Sequence, residues 1–364
     1  MAAFLHDFAQ CFTAFIYDLT QIFQHPYIAV IFFVALAFDY VNGFHDAANS
    51  IATIVGTRVL RPFQAVCWAA WWNFAAAWFF GVYVANTVAK WVHPEFVTVD
   101  VILAGLVGAI IWDLITWYVG LPTSSSHALL GGFGGAAIAY AGTWSGVLQT
   151  AKVVVTLQFI VLAPLIGLAL GLLFMTLLLW ALRRVTPIKV DRCFRVVQLC
   201  SAAAYSLGHG TNDAQKTMGI IAALLYASIW QNDQAAFAAG KVEFPFWIVL
   251  ACHLAIALGT MAGGWRIVKT MGLKITKLHP HSGVCAETAA AVSLFTSSAM
   301  GIPVSTTHVI TGAIVGVGSV QRMSAVRWGV ARNVVWAWVL TIPCSGIAAV
   351  CVFWTISTIR ALIN

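Results

Sequence analysis

Two short polar blocks each occur twice in this chain, inside or beside apolar stretches, and that duplication limits the possible folds more than any other feature. The first pair is N-G-F-H-D-A-A-N (Asn42 to Asn49) and H-G-T-N-D-A-Q-K (His209 to Lys216). The second is G-L-P-T-S-S-S-H (Gly120 to His127) and G-I-P-V-S-T-T-H (Gly301 to His308). A bilayer penalises acids, ammonium groups and strings of hydroxyls, so repeated polar breaks in apolar helices persist only where they face protein, water or a ligand.

That the apolar stretches belong in a bilayer follows from composition. The 364 residues are 61% hydrophobic and only 9% charged, whereas soluble domains carry about 25% charged residues. Apolar runs lie at 28–57, 63–86, 101–119, 121–142, 151–182, 196–228, 246–265, 284–300, 302–320 and 328–360, and about 20 apolar residues suffice to cross a bilayer. The net charge of +7 sits in short clusters between these runs, around Arg183 to Arg195, Arg266 to Lys277 and Arg322 to Arg332. Such clusters set membrane topology, and they exclude a nucleic-acid-binding face. The eight cysteines show no C-x-x-C spacing and read as small packing residues. No cleaved signal peptide is expected, and residues 4–23 are amphipathic enough to lie along a membrane surface.

The predicted organisation follows from counting. Residues 1–27 form an interfacial segment, 28–182 a first transmembrane repeat, 183–195 a basic cytoplasmic linker and 196–364 a second repeat. With every basic cluster inside, the acid-containing joints 87–100 and 229–245 fall outside, as do both termini. Five runs per half is an odd number, so the second half enters from the opposite side. The expected fold is an all-α polytopic membrane protein with two inverted-topology repeats, broken helices, and re-entrant or hairpin segments at 121–142 and 302–320.

Each motif then suggests chemistry. Gly43 and Gly210 are expected to let their helices unwind, freeing backbone groups for ions. Asp46 and Asp213 supply charged hard oxygens, and Asn42, Asn49 and Asn212 neutral ones. A single such block is commonly a structural kink; two matched copies favour a site. Lys216, one turn beyond Asp213, requires a counter-charge, either Asp213 itself or a substrate anion. The runs Thr123, Ser124, Ser125, Ser126 and Ser305, Thr306, Thr307 follow a proline and precede apolar helices. Hydroxyls and free N–H groups there suit a tetrahedral oxyanion. His127 and His308 are expected to orient neighbours rather than touch substrate. Glu287 is a further candidate in ion coupling, while Asp39, Asp113, His209, His253, Asn73 and Asn333 are open between ligand and structural roles. The Gly131/Gly135 and Gly312/Gly316 spacings predict close helix packing.

At these motifs the chain resembles the PiT family of inorganic phosphate transporters. H-G-T-N-D-A-Q-K-T-M-G is similar to that family's G-A-N-D-A-Q-K block, and N-G-F-H-D-A-A-N, G-L-P-T-S-S-S-H and P-V-S-T-T-H-V also match. The resemblance spans roughly 28–360. It implies cation-coupled symport of inorganic phosphate, inverted repeats, external termini and a homo-oligomer, expected to be a dimer. It also implies that Asp46, Asn49, Asp213, Gln215 and Lys216, with the Ser/Thr runs, contact phosphate and cation. His45 stands where many members have Asn, as in the bacterial low-affinity branch. That branch implies protons in preference to sodium, metal–phosphate as a possible substrate, and a bacterial inner membrane with periplasmic termini. The ion-coupling residues expected are therefore Asn42, His45, Asp46, Asn212, Asp213 and Glu287, with Asp46 and Asp213 able to hold sodium. No cofactor is expected beyond the coupling H+ or Na+. A sulfate permease on the same scaffold is the alternative. An intramembrane hydrolase is disfavoured because neither G-x-S-x-G nor H-E-x-x-H occurs.

Overall fold

The computed structural model describes residues 2–79, 81–230, 237 and 242–363, and every regular element among them is helical. Asp233 of the predicted outer joint lies outside the described residues. Among the described residues thirteen α-helices follow one another: α1 (Ala2–Gln24), α2 (Pro26–Gly56), α3 (Pro62–Ala75), α4 (Tyr83–Ala89), α5 (Val99–Val119), α6 (Ser125–Ala141), α7 (Thr150–Ala181), α8 (Pro187–Ser228), α9 (Phe246–Ala262), α10 (Trp265–Lys269), α11 (Pro280–Ala299), α12 (Thr306–Gln321) and α13 (Trp328–Ile363). Among them α2, α5, α7 and α13 are long and apolar enough to cross a bilayer, and two bent pairs reach the same standard when joined. The outer faces of α7 and α13 expose Leu157, Val161, Leu165, Leu173, Trp336, Leu340 and Trp354. Water would not tolerate an apolar belt of that size; acyl chains do. This is a multi-pass membrane protein.

Proline starts many of these helices, at Pro26, Pro62, Pro187 and Pro280, where its missing N–H costs nothing. Gly120 and Gly301 end α5 and α11 in the left-handed region, at φ 76° and 67°. A glycine is needed to reverse the chain so tightly. After each comes a short extended link and then a helix capped by serine: Ser124 accepts from the His127 N–H, and Ser305 from the His308 N–H. Residues 121–142 and 302–320 are thus the return limbs of two helical hairpins. At 1.5 Å per residue each return helix is about 25 Å long, short of the roughly 30 Å hydrocarbon core.

Helix contacts in one half have counterparts in the other. α6 packs on α13 and α12 on α7; α5 packs on α13 and α11 on α7; α2 packs on α9 and α8 on α3. α2 and α8 lie against each other at the centre. Two apolar cores result. One takes Ile31 to Phe38 of α2 with Ala214 to Leu225 of α8; the other takes Ala48 to Ile54 of α2 with Ala202 and Tyr205 of α8. The polar motifs of both helices occupy the interval between the cores, which fixes the depth of the site.

Several expectations need correction. The motif blocks do not unwind: α2 is helical from Pro26 to Gly56 and α8 from Pro187 to Ser228. Gly43 and Gly210 serve close approach instead. A Cβ on Gly43 would lie 2.2 Å from the Ile256 carbonyl oxygen, and one on Gly210 2.6 Å from that of Asn73. The Gly131/Gly135 and Gly312/Gly316 pairs do pack as expected, against α13 and α7. The broken helices lie elsewhere. The run 63–86 bends by 85° between α3 and α4, and α9 bends by 61° before α10. The basic block 266–277 is not a solvated joint. Ile267, Val268, Met271 and Ile275 are buried, and a π-helical turn, Thr270–Lys274, packs on α2. Residues 187–195 of the basic linker already belong to α8. Cys193 is exposed there instead of packed.

Candidate functional site

The four motif stretches meet. From α8, Lys216 is 1% exposed and Asp213 fully buried. The Lys216 ammonium donates to Asp213 Oδ1 at 2.5 Å, to the Val304 carbonyl oxygen at 2.9 Å, and to Ser126 Oγ. Asp213 Oδ2 accepts from Thr306 Oγ1 at 3.1 Å and lies 3.1 Å from His209 Nε2. The lysine therefore joins α8 to both hairpin tips: Ser126 lies in the first turn of α6 and Val304 precedes α12.

α2 makes the matching set. Asn49 stands where α8 has Lys216, and its Nδ2 donates to Thr307 Oγ1 at 2.8 Å and Thr306 Oγ1 at 3.3 Å. Asp46 Oδ1 lies 3.5 Å from Ser125 Oγ, as Asp213 meets Thr306. Both aspartates accept from the hairpin of their own half, and residues 49 and 216 both reach across to the other. His127 and His308 meet at the tips, with ring centroids 4.9 Å apart. His308 also packs on Trp338 at 3.9 Å, and Trp338 Nε1 donates to the Pro122 carbonyl. The histidines hold the two tips together by ring packing.

His45 extends the network towards α5. Its Nδ1 lies 2.8 Å from Asp46 Oδ1, and its Nε2 lies 3.1 Å from Thr116 Oγ1 and 3.3 Å from Thr123 Oγ1. Asp46, His209 and Asp213 bring ligand atoms within 4.8 Å of one another, all buried. A cation fits this group: two carboxylates supply charge and the imidazole a neutral nitrogen.

Not every expected residue joins the cluster. Gln215 is occupied elsewhere: its Oε1 accepts from the Val84 N–H at 2.8 Å and its Nε2 donates to the Gly81 carbonyl, which fixes the start of α4. Asn212 donates to Ser298 on α11 at 3.1 Å. Asn42 is buried with its Oδ1 lacking a hydrogen bond. Glu287 forms a separate group with Gln198, which donates to it at 2.9 Å, and Ser201, which also donates to it. Thr57 in turn donates to Gln198. Asn73 is an interhelical hydrogen bonder, donating to Thr260 and lying 3.2 Å from His209 Nδ1. His209 was left open by sequence reasoning, yet it touches Asp213. Its position one turn before Asp213 carried that signal. Thr116, which receives His45, carried none.

A family model described as the phosphate transporter family matches residues 42–349. A probable low-affinity inorganic phosphate transporter of Rhizobium meliloti is 54% identical over 334 residues, covering 90% of this chain and 96% of that one. One of the same description from Bacillus subtilis is 42% identical, covering 85% and 91%. Among solved structures, one titled the sodium-dependent phosphate transporter superposes with a TM-score of 0.80. At 24% identity, and with 92% of this chain and all of that one covered, it shows a shared fold. The relatives carry the names of transporters, not of enzymes. By the extent of these matches, the chain belongs to the phosphate transporter family.

Proposed function

We propose that the protein carries inorganic phosphate across the bacterial inner membrane together with a cation, by alternating access between its two halves. The observation that carries this reading is Lys216. It is a buried ammonium held by Asp213 between two hydroxyl-lined helix starts, in a chain whose relatives are named phosphate transporters. Its hydrogen bonds to Ser126 and Val304 are of the kind an oxyanion replaces. Ser125, Ser126, Thr306 and Thr307 are hydroxyl donors, and the N-termini of α6 and α12 add the positive ends of their dipoles. Thr123, Ser124 and Ser305 shape the tips, the two serines as caps, and Asn49 offers an amide donor.

Coupling to a cation follows from charge. Asp46 and Asp213 against Lys216 leave the site negative before phosphate enters, and a buried net charge is costly. A cation held by Asp46, Asp213 and His209 offsets both the excess carboxylate and the anion. The site then closes only when both ligands are present, which is the condition for symport in place of leak. The paired helix contacts support inverted repeats as the moving parts. The ends of the molecule support the topology read from charge. Tyr27, Asp100 and Arg360 meet at one end, Arg360 lying 2.8 Å from Asp100. At the other, Arg195 donates to the Arg58 carbonyl at 2.7 Å. The first end is read as periplasmic, with both termini, and the second as cytoplasmic.

The test is radiolabelled phosphate flux into proteoliposomes, with sodium and pH gradients imposed separately. Concentrative uptake is expected under one of the two gradients and collapse when that gradient is dissipated. Uptake indifferent to both gradients would remove the symport, and preferential displacement by sulfate would remove the substrate.

A further inference from the structure

At the end of the molecule that holds the link between α7 and α8, a cavity of about 480 Å³ opens beside the outer surface of α7. It shares no residue with the core site. Leu178, Leu179 and Leu182 from the end of α7, Val185 of the link and Val190 of α8 make its apolar wall. Leu177, Leu179 and Trp180 on the same stretch of α7 are exposed, so the wall continues the apolar belt. α7 is long and apolar enough to cross a bilayer. The cavity stands where that helix ends, at the level where hydrocarbon gives way to headgroups.

Four polar side chains line the same hollow: Arg183, Asp191, His279 and His281. Arg183 lies over the Trp180 ring, 5.3 Å from its centroid. Neither the Arg183 nor the Asp191 side chain has a hydrogen bond or ion pair, to each other or to any other described residue. A single exposed charge is ordinarily just solvated. Here a guanidinium and a carboxylate stand unpaired around one apolar hollow at headgroup depth. His279 and His281 add two stacked rings, with centroids 5.7 Å apart and planes 7° from parallel, and each imidazole carries an N–H donor. A ligand complementary to this lining has an apolar chain, a phosphate and a cation. A phosphodiester accepts from guanidinium and imidazole N–H groups. The carboxylate calls for a cation that donates hydrogen bonds. An anionic lipid meets only the first demand and sets its charge against Asp191. A primary ammonium next to the phosphodiester meets both.

We propose that this cavity binds one phospholipid with an ethanolamine headgroup. Its phosphate lies on Arg183 and the two histidines, its ammonium on Asp191, and an acyl chain along Leu178, Leu182 and Val190. The site rests on the membrane placement of the chain and not on the transport reading. Native mass spectrometry of the purified, delipidated full-length protein, titrated with phosphatidylethanolamine or phosphatidylglycerol, tests it. The wild type should bind one phosphatidylethanolamine at least about tenfold more tightly than phosphatidylglycerol, the order expected for one charge-assisted hydrogen bond. Asp191→Asn should remove that preference and leave phosphatidylglycerol binding unchanged, whereas Arg183→Gln should weaken both lipids. Both residues are exposed, so neither change endangers the fold. Wild-type affinity for phosphatidylethanolamine in both variants would overturn the proposal. So would a wild type that favours phosphatidylglycerol or does not distinguish the two. Displacement of the lipid by an equal concentration of free phosphoethanolamine would also overturn it, by making the site one for a soluble phosphoester.

Discussion

Asp213→Asn is expected to lower phosphate uptake in proteoliposomes by at least about 100-fold, which at 1.4 kcal/mol per tenfold is roughly 3 kcal/mol or more. The carboxylate is engaged on every side. It receives the Lys216 ammonium and the Thr306 hydroxyl, and it lies against His209. Asparagine keeps the size of the side chain but removes the charge that balances lysine and holds the cation. It also leaves an ammonium buried without its partner, a change that costs about 3–5 kcal/mol where buried pairs have been broken. Lower thermal stability should therefore accompany the lost uptake. Uptake within twofold of wild type, at equal reconstituted protein, would contradict the assignment.

Lys216→Gln separates stability from transport. Alone it strands the Asp213 carboxylate, so both uptake and unfolding temperature should fall. Combined as Asp213→Asn with Lys216→Gln, the buried pair becomes two neutral amides able to bond each other. Replacing both members of a buried ion pair is commonly neutral or stabilising. The double variant should recover much of the unfolding temperature lost in either single variant, while uptake stays at background. A double variant as unstable as the singles would mean that the pair is needed for packing. Restored uptake would mean that the charges serve no ligand.

The sequence revealed which motif residues meet better than it revealed their backbone. The residues that meet at the centre, Asp46, Asn49, Ser125, Ser126, Asp213, Lys216, Thr306 and Thr307, are legible because a bilayer makes polar groups conspicuous and duplication makes chance a poor explanation. The hairpin tips are legible for the same reason, with Gly-x-Pro followed by hydroxyls marking both the turn and the cap. Backbone geometry was not. Gly43 and Gly210 suggested unwinding, but glycine in a membrane helix equally allows a neighbour to approach, and only the positions of Ile256 and Asn73 decide between these. The basic block 266–277 read as a hydrophilic joint because four of its residues, Arg266, Lys269, Lys274 and Lys277, are charged. Its apolar residues turn inward on α10 and the π turn, a pattern too short for periodicity to reveal. Gln215 illustrates the limit of a motif. It lies between Asp213 and Lys216 in sequence, yet it points to the start of α4 because neighbours on a helix face different directions.

The central claim is that the two motif pairs enclose one phosphate, and an experimental map of the protein saturated with phosphate and its cation tests it most directly. The expected map has a tetrahedral anion within hydrogen-bond distance of Lys216 Nζ and of hydroxyls from both tips, with Lys216 moved off Ser126. A map at saturating phosphate in which Lys216 keeps Ser126 and Val304, with the anion bound elsewhere, would contradict it.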